Sequence, residues 1–250
     1  MTWTLARTSK LGLVSTFDVS DLGTILSLWA HPDDEGYGCG AIMARAVDNG
    51  QRVVCVTATR GERGSTDESR WPNGPELATV RTAELAATLQ ILGVSEHRFL
   101  DYPDGGCANV DQDEAVARVR AIIDDIQPDT ILTFGPDGGT FHPDHIAVSG
   151  WASAAAAGTA TKVFQVTNTP EWTARMDAVV PRELVMMAEG EPISTPEEQC
   201  DIYLIVEGAE LERKRRAMLC MESQIGPMLA LGGVELFDQI LNEEAYVLAN

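Results

Sequence analysis

Short apolar runs and longer amphipathic stretches alternate along the chain between about residues 24 and 166. The runs at 24–30, 52–58, 97–100, 130–134 and 162–166 have strand length, and the second carries three valines and a cysteine. Between them, 38–48, 76–92, 111–127 and 146–157 place apolar or small residues at helical spacing. Their boundaries are marked. Asn49-Gly50 and Gly93 follow the first two, acidic residues open the third, and Pro128 follows its end. Alternating strands and helices predict βαβ units and a parallel sheet covered on both faces. The expected fold is therefore α/β, a Rossmann-like, doubly wound, mostly parallel sheet of order 3-2-1-4-5. Residues 1–22 are polar and aperiodic and read as an N-terminal arm. Past about residue 168 the rhythm decays. A strand at 201–206 and a helix at 209–222 are expected there, and 168–250 reads as a C-terminal cap, so that 1–250 form one domain.

Two strings gain meaning from this layout. Ala30-His31-Pro32-Asp33-Asp34-Glu35 follows the first strand and His142-Pro143-Asp144-His145 follows the fourth; together they hold three of the four histidines. In the order 3-2-1-4-5 the first and fourth strands are neighbours at the topological switch point, and ligands bind outside the carboxyl ends of such strands. Histidine and aspartate packed this densely are costly to bury unless something binds them. A metal ion is the simplest such thing.

Composition narrows the classes. With 250 residues, 44% of them hydrophobic, the chain can build one sizeable core. No run of 18 or more apolar residues occurs, so no membrane span is expected. The first residues lack a basic segment followed by an apolar one, so no secretory signal is expected and the cytoplasm is the default. Five scattered cysteines without a CxxC pair argue against a disulfide framework or a structural zinc knuckle. Cys39 and Cys55 read as small buried residues. A net charge of −20 argues against nucleic acid and anionic membrane surfaces as partners.

The donor spacing permits hydrolytic metal chemistry. His31 and Asp34 are three residues apart at a strand-to-helix junction, and so are His142 and His145. Pro32 and Pro143 hold the preceding histidines extended and suit a first helical turn. Imidazole with carboxylate suits Zn²⁺, with Fe²⁺ or Co²⁺ as alternatives. Three protein ligands and an open position describe a catalytic site rather than a structural one. A carboxylate that is not a ligand, Asp33 or Asp34, can act as general base. A second histidine can stabilise an oxyanion or protonate a leaving amine, and Asp144 can orient one of the imidazoles. Two other readings compete. The aspartates could be helix caps, although both strings at adjoining strand ends argue otherwise. Gly36-Tyr37-Gly38-Cys39-Gly40-Ala41 fits a dinucleotide-binding G-x-G-x-x-A. A polar insert separates it from the strand, no acid follows the second strand for a ribose, and three carboxylates would face the pyrophosphate.

Both strings, unchanged, resemble those of the LmbE-like (PIG-L) family of zinc-dependent N-acetylglucosaminyl deacetylases. Thr59-Arg60-Gly61-Glu62-Arg63-Gly64 is similar to the family's T-x-G-E-x-G loop, and Val80-Arg81-Thr82-Ala83-Glu84-Leu85 with Leu92-Gly93 to its R-x-x-E-L…L-G helix. Tyr102-Pro103-Asp104-Gly105 resembles a substrate-loop aspartate, and Lys214-Arg215-Arg216-Ala217 with Ser223-Gln224 the family's tail. Met221 stands where that tail often has histidine. The resemblance implies His31, Asp34 and His145 as zinc ligands and Asp33 as general base. It implies His142 as oxyanion stabiliser or acid, oriented by Asp144, and Arg81 and Asp104 as substrate contacts. For Arg81 an exposed helix position paired with Glu84 or Glu76 is the alternative. The expected activity is hydrolysis of an N-acetyl or other N-acyl amide on a small amino-sugar-type substrate. Alternatives are an amidase for a larger thiol or antibiotic conjugate, and a metal- or nucleotide-binding protein without turnover. A homo-oligomer is compatible with the sequence.

Overall fold

A computed structural model describes residues 17–249. Strands and helices alternate as β1 (Ile25–Trp29), α1 (Asp34–Asp48), β2 (Val53–Thr57), α2 (Pro75–Leu92), β3 (Glu96–Phe99), α3 (Gln112–Ile126), β4 (Thr130–Thr133), α4 (Pro143–Ala156) and β5 (Lys162–Thr167). Every residue of β1, β2 and β4 is buried. Helices cover both faces of the sheet there, so these strands are continuous apolar runs rather than alternating ones. α1 packs with α2 and with one later helix, α3 packs with α4, and α4 lies against β1, β4 and β5.

The five strands are parallel neighbours in the order β3-β2-β1-β4-β5, but the sheet does not end there. The remaining elements are α5 (Pro170–Asp177), β6 (Ile202–Ile205), α6 (Gly208–Met218), α7 (Glu222–Leu241) and β7 (Glu243–Leu248). β7 pairs antiparallel with β5, and β6 antiparallel with β7. The sheet is thus mixed and seven-stranded, which corrects the mostly parallel expectation. The region read as a cap adds two strands to the sheet. β7, α5 and α7 were not anticipated. The arm reading also fails for its described part: Val19 and Leu22, in a 3-10 turn, are buried in the core. Residues 1–16 of that arm lie outside the described residues. Cys39 and Cys55 are buried, as is Cys107.

The physical reason β7 escapes notice is its first two residues. Glu243 and Glu244 look like solvent positions, yet Glu244 is fully buried and pairs with Lys214 at 2.7 Å. The pair serves a break in α1. Cys39 leaves helical geometry (φ −143°, ψ 21°), which frees backbone groups on both sides of it. Glu244 accepts the N–H groups of Ala41 and Ile42 at 2.7 and 2.9 Å. Lys214 Nζ donates to the Tyr37 carbonyl and the Tyr246 hydroxyl to the Gly38 carbonyl. Three C-terminal side chains therefore complete the helix that carries the first string.

Lys214→Met would leave the Glu244 charge buried without its partner. A loss of about 3–5 kcal/mol is expected, which for a chain of this size corresponds to a drop in Tm of roughly 6–20 °C. The double variant Lys214→Met/Glu244→Gln should recover part of that loss in the same thermal melt. A single variant that melts with the parent protein would remove the pair from this role.

Candidate active site

Four loops leave the carboxyl ends of β1 to β4 and meet in one crevice. They carry His31 to Glu35, Thr59 to Gly64, Asp101 to Gly105, and Phe134 to His145. α1 begins at Asp34 and α4 at Pro143, earlier than the periodicity suggested, so both strings run into first helical turns. Both turns are entered through unusual backbone. Asp33 has φ 129° and Phe141 φ 61°, conformations that cost a non-glycine residue about 1–3 kcal/mol each. At Gly138 (φ +69°) a Cβ would stand 2.7 Å from the Cβ of His145, so only glycine lets this loop close over the histidine.

Three donor groups converge. His31 Nδ1 lies 3.2 Å from His145 Nε2 and 3.5 Å from an Asp34 oxygen; the other Asp34 oxygen is 3.4 Å from His145 Nε2. Ligand atoms about 2.0–2.1 Å from one tetrahedral ion would be about 3.3 Å apart. The far side of each imidazole is also held. His31 Nε2 faces Asp104 at 3.1 Å and Asp144 at 3.4 Å, while His145 Nδ1 donates to the Gly138 carbonyl at 3.0 Å. These partners place the protons on the outer nitrogens and turn both lone pairs inward, as ligating histidines require. A nitrogen of His142 lies within 4.8 Å of those of His31 and His145. The donor set fits a divalent cation.

The electrostatics agree. Burial would discharge His31, but the carboxylates of Asp104, Asp144 and Asp34 outweigh it and raise its pKa well above the ordinary histidine value. Burial also acts on Asp34, yet His145 and His31 hold its carboxyl below the usual range. Asp104 is likewise depressed to about 2, its burial overcome by its bond to His31. Burial lowers His145 to about 4, with Asp34 opposing. Without a cation, three ionised carboxylates are thus balanced chiefly by one imidazolium, an arrangement that attracts positive charge.

Asp33 is different. It stands outside the donor triangle with Arg81 3.3 Å away. Burial pushes its carboxyl up to about 7, Arg81 opposing and Asp34 adding. Its N–H donates to Glu35 Oε2 at 3.1 Å. Glu35 is fully buried, burial pushes it up to about 8, and its other oxygen has no hydrogen-bond partner among the described residues. Sequence reasoning quoted Glu35 in the string but gave it no role. Phe134 was missed too: its ring stacks on His145 with centroids 4.0 Å apart.

Several expectations need correction. Asp144 does not orient His142. Its carboxylate accepts from the N–H groups of Gly105 and Cys107 and faces His31. His142 instead caps α4, its Nδ1 accepting the Asp144 backbone N–H at 3.1 Å, and burial together with His31 lowers its pKa. It is therefore a neutral imidazole with Nε2–H free to donate. Asp104 is held by His31 and by the Arg63 N–H. Arg81 is neither exposed nor paired with Glu84. It is 3% exposed and donates to the carbonyls of Pro32 and Gly61. Glu84 accepts from Ser223 instead.

Fold and site together define a Rossmann-like α/β protein with converging histidine and aspartate donors at the switch point of its sheet. A family model for GlcNAc-PI de-N-acetylase (PIG-L) matches residues 26–156, and the chain belongs to that family. A 1D-myo-inositol 2-acetamido-2-deoxy-alpha-D-glucopyranoside deacetylase of Kineococcus radiotolerans is 38% identical over 151 residues, 50% of this chain and 42% of its own. The matches to the first of these curated relatives span only about half of their lengths. One from Mycolicibacterium smegmatis is 32% identical over 262 residues, 90% of each chain. Among solved structures, an N,N'-diacetylchitobiose deacetylase of Pyrococcus horikoshii shares the fold. Its TM-score is 0.62 at 21% identity, over 93% of this chain and 87% of that one.

Proposed function

We propose that this chain is a zinc-dependent hydrolase that removes an N-acetyl or other N-acyl group from an amino-sugar-type small molecule. The observation that carries this reading is the donor triangle of His31, Asp34 and His145 beside Asp33, a partly buried carboxylate outside the triangle. The names of the relatives support the substrate class. Zinc suits two imidazoles and one carboxylate with an open position; Fe²⁺ and Co²⁺ suit them as well.

A metal held there would supply Lewis acidity and lower the pKa of a water to about 7. The chain's own groups do the rest. Asp33, poised near neutrality, takes the proton of the attacking water and returns it to the departing nitrogen. His142 Nε2–H donates to the carbonyl oxygen as charge develops on it. Asp104 and Asp144 hold the His31 ring, Gly138 holds that of His145, and Arg81 fixes Asp33 and the two loops around it.

Metal analysis joined to an amine-release assay over N-acetylated amino sugars tests the reading. About one metal per chain and release of free amine are expected. Metal-loaded protein that releases no amine from any of them or from their longer N-acyl analogues would sink it. His142→Ala is expected to keep its metal and to lose about 10²–10³-fold in kcat with little change in KM. Near-normal kcat, or loss of metal, would make His142 a bystander or a ligand.

A further inference from the structure

The crevice opens into a cavity of about 780 Å³ whose walls differ in character. On the Asp33 side the lining is polar: Arg63, Ser65, Thr66 and Gln224. Thr66 donates to the Ser223 carbonyl at 2.6 Å, which seats this loop against the start of α7. Arg63 has no carboxylate partner among the described residues. On the His145 side lie Phe134 and Trp29, their rings edge to face at 4.8 Å. Beyond them Trp172, Met176 and Val180 pack with Met228 and Ile240 in a separate apolar cluster that lines the cavity, with Thr173, Asp177, Arg182 and Glu243 interspersed. α7 spans the change, with Gln224 at the polar end and Met228 one turn on. At the mouth, Leu184 and Met187 continue the apolar wall and are 54% and 63% exposed.

An N-acetyl group offers one methyl to such a surface. An apolar wall this long, running into the reaction site and left open to water, fits a larger apolar group on the ligand. The amine side of an amino-sugar substrate is a polyol, and the polar wall beside Asp33 answers to it. The apolar wall then falls to the acyl side. A membrane is disfavoured as the occupant, because the chain carries a net charge of −20.

We infer that the wall formed by Trp172, Met176, Val180, Met228 and Ile240 receives an aliphatic acyl chain, so that the preferred substrates are longer N-acyl amides rather than N-acetyl ones. This rests on the proposed hydrolysis. The C–N bond breaks and water gives its hydroxyl to the acyl carbon and its proton to the nitrogen. The products are a fatty carboxylate and a free amine.

The test uses zinc-loaded protein and N-acetyl-, N-butyryl-, N-hexanoyl- and N-octanoylglucosamine, with glucosamine release as readout. kcat/KM should rise about two- to fourfold per added methylene, and by tenfold or more from acetyl to hexanoyl. Met176→Lys should flatten the hexanoyl-to-acetyl ratio. A parent protein whose kcat/KM is flat or falls along the series overturns the inference and leaves the hydrolase reading standing. A gain with octyl glycosides of N-acetylglucosamine but not with the acyl series also overturns it, since the wall would then serve the aglycone. If no member releases amine, calorimetry with octanoate and acetate decides. Octanoate bound at least tenfold more tightly keeps the apolar wall while the hydrolase reading falls, and equal affinity removes both.

Discussion

Asp33→Asn is expected to bind its metal at unchanged stoichiometry and to lose about 10²–10⁴-fold in kcat, the range for a positioned general base. Asparagine is the informative replacement because Asp33 sits at φ 129°, where an alanine would add backbone strain to the chemical change. The amide keeps the volume and can still accept from Arg81, but it cannot take a proton. Asp34→Asn is the matched control. Its carboxylate bridges His31 and His145, so metal affinity should fall with activity. If Asp33→Asn loses metal while Asp34→Asn keeps it, the assignments within the pair are reversed although the reaction class survives. Metal content by elemental analysis and kcat from amine release decide between these outcomes.

The second large effect is loss of the ion itself. His31→Ala and His145→Ala should each come through purification with little or no metal and no measurable turnover, because each removes one of three donors. The two variants should then differ in stability once both are metal-free. His31 carries the positive charge that Asp34, Asp104 and Asp144 surround. Its removal leaves three buried or half-buried carboxylates facing one another. The His145 ring, which burial holds uncharged, gives up its bond to Gly138, its contact with Asp34 and its stacking on Phe134 and His142. Metal-free His31→Ala should therefore melt roughly 5 °C or more below metal-free His145→Ala. Full metal retention in both variants would dismantle the site as described.

Much of the fold was legible because parallel strands buried on both faces must be apolar along their whole length. That property marks β1, β2 and β4 without reference to anything else. What escaped notice were elements whose signal lies in a partner far away. β7 begins with two glutamates and becomes a strand only because Lys214 and the broken α1 satisfy Glu244. The 3-10 turn at Val19 and Leu22 looks like an arm until the core covers it. α5 and α7 present their apolar residues to a cavity as well as to a core, which blurs helical periodicity.

For the site, the sequence alone determined which chemistry was available and where it would gather. Two His–Asp strings at the ends of strands that must adjoin can converge only at the switch point, whatever the details of packing. What each member does there was decided by tertiary structure. Spacing cannot tell which ring a carboxylate will face, and it is the loop after β3 that turns Asp144 and Asp104 toward His31 and leaves His142 as a neutral cap. Nor does a string of residues show that Arg81 would be buried against Pro32 and Gly61, or that Asp33 would be held at positive φ outside the donor triangle. Charge and hydrogen-bonding capacity belong to the residue. Protonation, orientation and burial belong to its neighbours, and here those come from four separate loops and the last strand of the chain.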